Sequence, residues 1–143
     1  MTYDKQRIAR IISDIEKYLS DLQKLEPKQI DDKKTYYAAS MLLLTLANRT
    51  IDLGDAIVTG GNFGFPSTYR VIFSLLKENG VIDKKMEEEL GHIVHYRNLL
   101  SHEYAEITTK DVLAFWKSAS SISRFMQRVK EFLQKRKVDA AQQ

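Results

Sequence analysis

The 24 residues TYYAASMLLLTLANRTIDLGDAIV, from Thr35 to Val58, are apolar around most of a helical circumference. A helix built from them has no face to give to water, so it has to be enclosed by its neighbours. That requirement predicts a central helix with others packed around it. Asp31 or Asp32 is placed to cap its start. Gly54 within it costs about 1 kcal/mol relative to alanine, which marks either a close helix approach or a local bend.

The flanking segments supply the enclosure. Ile8, Ile11, Ile12, Ile15, Leu19, Leu22 and Leu25 recur at spacings of three and four with charged residues between them, an amphipathic helix that Pro27 stops. After the central run, TGGNFGFPS breaks the pattern with three glycines and a proline and reads as a loop. A short helix follows through TYRVIFSLLKE, with Ser67 as its cap and Asn79-Gly80 as a left-handed stop. Asp83 opens DKKMEEELGHIVHYRNLLSHEY, with acidic residues in its early turns. Thr108 or Thr109 caps a last helix whose seam is Val112, Phe115, Ala119, Ile122, Met126, Val129 and Leu133.

No strand alternation, internal repeat or low-complexity linker interrupts this pattern. The expected fold is all-α: an up-and-down four-helix bundle with an additional short helix, residues 1–143 forming a single domain. The chain contains no cysteine, which excludes disulfides, thiolate metal sites and thiol nucleophiles. Its amino terminus carries charges throughout, so it reads as neither signal peptide nor membrane span, and the expected location is cytoplasmic. The net charge of +3 suits a phosphate-bearing partner without establishing one. Arg124, Arg128, Lys130, Lys135, Arg136 and Lys137 near the carboxyl end read first as a solvated helix end.

The chemistry gathers in RNLLSHEY, from Arg97 to Tyr104. Residues five apart are rotated by roughly 140° on an ideal helix, so Arg97 and His102 do not share a face. Either the helix ends or bends near Ser101, or the groups meet through a second subunit. Asn98 and His102, four apart, do share a face. A guanidinium offers a planar fork to phosphate, and an imidazole exchanges protons near neutrality. Together they suit phosphodiester chemistry in which Arg97 holds the phosphate and His102 moves a proton. RNA carries its own nucleophile in the 2′-hydroxyl and DNA does not, so a metal-free mechanism of this kind selects RNA. A structural account competes with it: Arg97 paired to an acid, His102 ending the helix, and Tyr104 packed against the core.

The residues Arg97, His102 and Tyr104 in the pattern R-x4-H-x-Y resemble the signature of the HEPN superfamily, and specifically its HepT toxin branch. IDLGDAIV, PSTYRVIFSLLKENGVID and MEEELGHIVHYRNLLSHEYAEIT follow the order and spacing of that branch, and the resemblance spans about residues 7 to 133. It implies a HEPN-like helical bundle and a metal-independent endoribonuclease toxin that forms a homodimer. Arg97 and His102 of both subunits would then line a composite cleft, cutting RNA (tRNA or mRNA) to a 2′,3′-cyclic phosphate with no cofactor. It also implies an MNT-type nucleotidyltransferase antitoxin as partner, with AMPylation of Tyr104 as a route to neutralisation. Asn98, Ser101 and Asp52 are the supporting candidates. The alternative within the same resemblance is a non-catalytic nucleotide- or substrate-binding subunit of a small nucleotidyltransferase.

Other constellations are weaker. His92, His95 and His102 fall near one stripe, but His102 lies too far along to share an ion with the other two, so no metal site is expected. Asp52 and Asp55 lie in the apolar central helix, where a charge needs a partner; Asp52 is the better placed to orient a basic group near the site. TGGNFGFPSTYR lacks the lysine and preceding strand of a phosphate-binding P-loop. Its Phe63, Phe65 and Tyr69 either anchor the loop or stack on bases or a partner. Trp116 reads as packing.

Overall fold

The structure, a computed structural model, describes residues 2–103 and 105–142, with side chains through residue 137. Helix α1 spans Lys5–Gln23, and the Asp4 side chain caps it by accepting from the Arg7 backbone N–H at 3.0 Å. Its period buries Ile8, Ile11, Ile15 and Leu22, while Ile12 and Leu19 pack at the edge of the core. Pro27 begins a short 3-10 turn, Pro27–Gln29, that redirects the chain.

Helix α2, Lys33–Gly61, is the expected centre: it packs against α1 and against every helix that follows. Of the two candidate caps Asp32 takes the role, accepting from the Thr35 backbone N–H at 3.2 Å and from its hydroxyl at 3.3 Å. The helix runs three residues past the expected boundary and takes in Thr59, Gly60 and Gly61. The glycines there serve packing. A Cβ on Gly60 would lie 2.4 Å from the Tyr3 ring, and one on Gly61 would lie 2.5 Å from the Phe63 ring. The helix ends at Asn62, which adopts the left-handed conformation at φ 57°.

Helix α3, Tyr69–Glu78, is capped by Thr68, not by Ser67. The Thr68 hydroxyl accepts from the Val71 backbone N–H at 3.3 Å. Gly80, at φ 75°, turns the chain out of α3 and on toward α4. At Gly54 the ambiguity between bend and close approach resolves to the latter: a Cβ there would sit 2.8 Å from Ile72 Cγ2. The start of α3 is thereby held close to α2.

Asp83 caps α4, Lys84–His102, accepting from the Met86 backbone N–H at 2.8 Å. Thr108 and Asp111 form a reciprocal capping box at the start of α5, Thr109–Ser118. The single last helix of the sequence reading is interrupted at Ala119 and resumes as α6, Ser120–Gln142. The hydroxyls of Ser118, Ser120 and Ser121 bond carbonyls three residues back, and the Ala119 and Ile122 N–H groups also reach back three instead of four. The seam survives the break: Val112, Phe115, Ala119, Ile122, Met126 and Val129 are all buried, with Leu133 packed beside them. Phe73 meets Phe125 edge-on at 5.7 Å, and Tyr96 stacks on Phe115 at 5.4 Å, tying α3 and α4 to the last two helices. No helix among the described residues is long and apolar enough to cross a membrane.

Candidate functional site

Helix α4 does not stop short of the RNLLSHEY motif. It runs to His102 and closes with the Glu103 N–H donating to the Leu99 carbonyl at 2.9 Å. Leu100 packs against the core, which fixes the height of this last turn. Arg97, Asn98 and His102 nevertheless line one open cleft of about 1040 Å³, shared with Asp52 and Asp55 of α2 and with Thr68, Tyr69 and Arg70 at the start of α3. Ser101 is half-buried and does not line it. Tyr104 lies outside the described residues.

Arg97 lies in a neutral setting. Its Nε donates to Asn48 Oδ1 at 2.9 Å and its Nη1 to Asn98 Oδ1 at 3.1 Å. The Tyr69 ring lies 5.0 Å from Cζ, within the range of a cation–π contact. Among the described residues no carboxylate pairs with it, so the ion pair of the purely structural account is absent. A guanidinium held by amides and a ring keeps its charge for a ligand. An exchangeable partner would have to compete only with water at the donors these contacts leave over.

The acids of the cleft are engaged elsewhere. Asp52 accepts from Arg49 Nη1 at 3.1 Å, and Arg49 also clamps Asp14 of α1 through Nη2 at 2.6 Å and Nε at 3.0 Å. Burial alone would lower the Arg49 pKa, but the hydrogen bonds and charges of Asp14 and Asp52 outweigh it and hold the group above its ordinary value. The basic group that Asp52 holds is Arg49, which does not itself line the cleft. Asp55 pairs with Arg7 at 3.4 Å. Arg7, and Arg49 shared between Asp52 and Asp14, therefore offset part of the negative charge that would otherwise repel an anion from this cleft. His102 is exposed, and its imidazole has no hydrogen-bond or ion-pair partner among the described residues.

The remaining candidates distribute differently. His92 and His95 are exposed, His95 sitting edge-on to Tyr96 at 5.3 Å. Among the described residues no group of three or more His, Asp or Glu side chains is arranged to hold a metal ion. Phe63 anchors the loop between Gly61 and Phe132, Phe65 is 99% exposed, and Tyr69 lies under Arg97. Trp116 packs at the edge of the core. Asn48 and Arg70 were not among the sequence candidates. Asn48 stands 49 positions from the arginine it holds, so only the packing of α2 on α4 reveals it.

Residues 8–135 match the family described as Ribonuclease HepT-like. Among solved structures, the cytosolic protein YutE of unknown function from Bacillus subtilis superposes with a TM-score of 0.86 at 19% identity, over 95% of each chain. A toxin–antitoxin structure with AMP-PNP gives 0.81 at 21% identity, over 88% of this chain and 98% of the other. The tri-AMPylated Shewanella oneidensis HEPN toxin in complex with MNT antitoxin gives 0.79 at 21% identity, over 87% and 96%. At these identities the likeness is one of fold, a HEPN-like helical bundle. No curated protein sequence gives a significant match.

Proposed function

The chain belongs to the HepT-like ribonuclease family, and from that premise we propose that it is a metal-independent endoribonuclease toxin acting at the Arg97–His102 cleft. The observation that carries the reading is the uncompensated Arg97 guanidinium in the same cleft as a partner-free imidazole. In the proposed reaction Arg97 binds the scissile phosphate and stabilises the charge that builds on its oxygens. The substrate's 2′-oxygen attacks phosphorus as its proton leaves to an imidazole. The bond to the 5′-oxygen breaks, a proton is delivered to that leaving oxygen, and a 2′,3′-cyclic phosphate remains.

One proton is removed and one delivered, and each chain brings one His102 to the cleft. A homodimer that joins two such clefts would provide both an acid and a base, so the dimer is part of the proposal. We further assign an MNT-type nucleotidyltransferase antitoxin as partner, in line with the Shewanella toxin solved with its MNT antitoxin. AMP added to Tyr104, two residues beyond His102, would bring a negative phosphate and a bulky nucleoside beside the phosphate-binding arginine and exclude RNA.

Incubation of the purified protein with cellular RNA in excess EDTA, followed by sequencing of RNA ends, tests the reading. Cleavage leaving 2′,3′-cyclic phosphates, lost in a folded His102→Ala protein, is the expected result. Equal cleavage by His102→Ala overturns it, and nucleotide binding without RNA turnover supports the accessory-subunit alternative. For the antitoxin, intact mass should rise by AMP increments when partner and ATP are present, and Tyr104→Phe should remove the rise.

A further inference from the structure

We propose that Arg70 is a second phosphate-binding residue of the cleft, which holds a phosphate flanking the scissile one and so adapts the site to an RNA strand instead of a single phosphodiester. The proposal rests on the ribonuclease reading above and adds a subsite to it. Arg70 lines the same cleft as Arg97 and His102 but comes from α3, where it is the second residue of the helix.

That position is electrostatically unfavourable for a cation, because the first turn of a helix presents its N–H groups and the positive end of its dipole. The exposed Arg70 guanidinium has no hydrogen-bond or ion-pair partner among the described residues, the residue's one printed hydrogen bond being the Ser74 hydroxyl donating to its backbone carbonyl at 3.3 Å. The nearby acids Asp52 and Asp55 are committed to Arg49 and Arg7. A phosphate at Arg70 would reverse both deficits, since it supplies the missing counter-charge and suits the helix start.

The side chain also touches α4. A Cβ on the buried Gly91 of α4 would lie 3.0 Å from Arg70 Nη1 and 3.9 Å from its Cζ, so the guanidinium lies over the helix at a glycine. Gly91 and Arg97 are six residues apart on α4. One arginine suffices for the scissile phosphate, and the second, lying against the same helix at a different height, is available to a neighbouring one.

The test compares two substrates: an oligoribonucleotide containing one mapped cleavage site, and the dinucleoside monophosphate cut from that site, which carries only the scissile phosphate. Arg70→Ala should raise KM for the oligonucleotide roughly tenfold with kcat held within about twofold, and should leave kcat/KM for the dinucleotide unchanged. The dependence of oligonucleotide binding on salt should lose about one phosphate contact, and Arg70→Lys should recover part of the KM. Gly91→Ala, which crowds the guanidinium by a few tenths of an ångström, should raise KM by less than Arg70→Ala does and add nothing to it. Equal effects of Arg70→Ala on both substrates, or on neither, overturn the proposal while the ribonuclease reading stands. If the native protein cuts neither substrate, that reading itself fails and takes this subsite with it.

Discussion

Arg97 of α4 donates from Nε to Asn48 Oδ1 of α2 at 2.9 Å, so the motif arginine is aimed by a neutral amide on the central helix. A carboxylate in that place would hold the guanidinium as well but would also cancel its charge. The two effects can be separated. Asn48→Ala removes a hydrogen bond to a charged group, worth about 1.5–3 kcal/mol, and should lower the single-turnover cleavage rate about 10- to 100-fold. Asn48→Asp should lower it further while raising the thermal midpoint, because the new ion pair stabilises the fold and competes with phosphate. Activity retained in Asn48→Asp would mean that the charge of Arg97 is not what the cleft uses.

Tyr69 presents its ring to Arg97 at 5.0 Å and is itself 41% exposed. A cation–π contact at such a site contributes about 0.5–1 kcal/mol. Tyr69→Phe preserves the ring and should leave kcat/KM for RNA near the native value. Tyr69→Leu should reduce it about two- to fivefold. Initial-rate measurements of the three proteins at one ionic strength distinguish a ring contact from a hydroxyl contact.

Gly54 is where α2 and α3 touch most closely, and Ile72 Cγ2, fixed to a branched carbon, has little room to withdraw from an added Cβ at 2.8 Å. Overpacking of that kind costs about 1–3 kcal/mol, against about 1 kcal/mol gained from the better helix propensity of alanine. Gly54→Ala should therefore be destabilised by about 1 kcal/mol, readable as a lower urea midpoint with an unchanged slope. Because α3 carries Thr68, Tyr69 and Arg70 into the cleft, cleavage should weaken in the same variant.

The Tyr3 hydroxyl is buried without a hydrogen-bond partner among the described residues, its ring lying against Gly60 and edge-on to Phe132 at 6.3 Å. Burial raises its pKa above 10.0, opposed by the charge of Arg136. With the folded value above the unfolded one, this residue's contribution is fully present below about pH 10 and is lost as pH rises through the folded pKa. Tyr3→Phe should stabilise the protein by about 1 kcal/mol at pH 7 by removing an unpaired buried hydroxyl. It should also flatten the alkaline decline, as urea titrations at pH 7 and above pH 10 would reveal.

Local features of the fold were legible because they depend on residues a few positions apart. The α1 stripe, the caps at Asp32, Asp83 and Thr108, and the left-handed stop at Gly80 all close within one turn of chain. Gly60 and Gly61 misled for a physical reason: a glycine that permits a loop and a glycine that lets an aromatic ring lie on a helix look alike until Tyr3 and Phe63 are in place. The break at Ala119 depends on which carbonyls the neighbouring serines select, and the apolar period runs through it unchanged.

The sequence by itself determined that this chain forms helices around an apolar centre, and it marked Arg97 and His102 by type and spacing, because period and motif are properties of neighbours along the chain. Only the tertiary structure decided that Arg97 is held by Asn48 and Tyr69 while Asp52 and Asp55 are taken by Arg49 and Arg7. Those partners come from α1, α2 and α3, and the strength and sign of an electrostatic setting depend on distance through space, which the order of residues does not record.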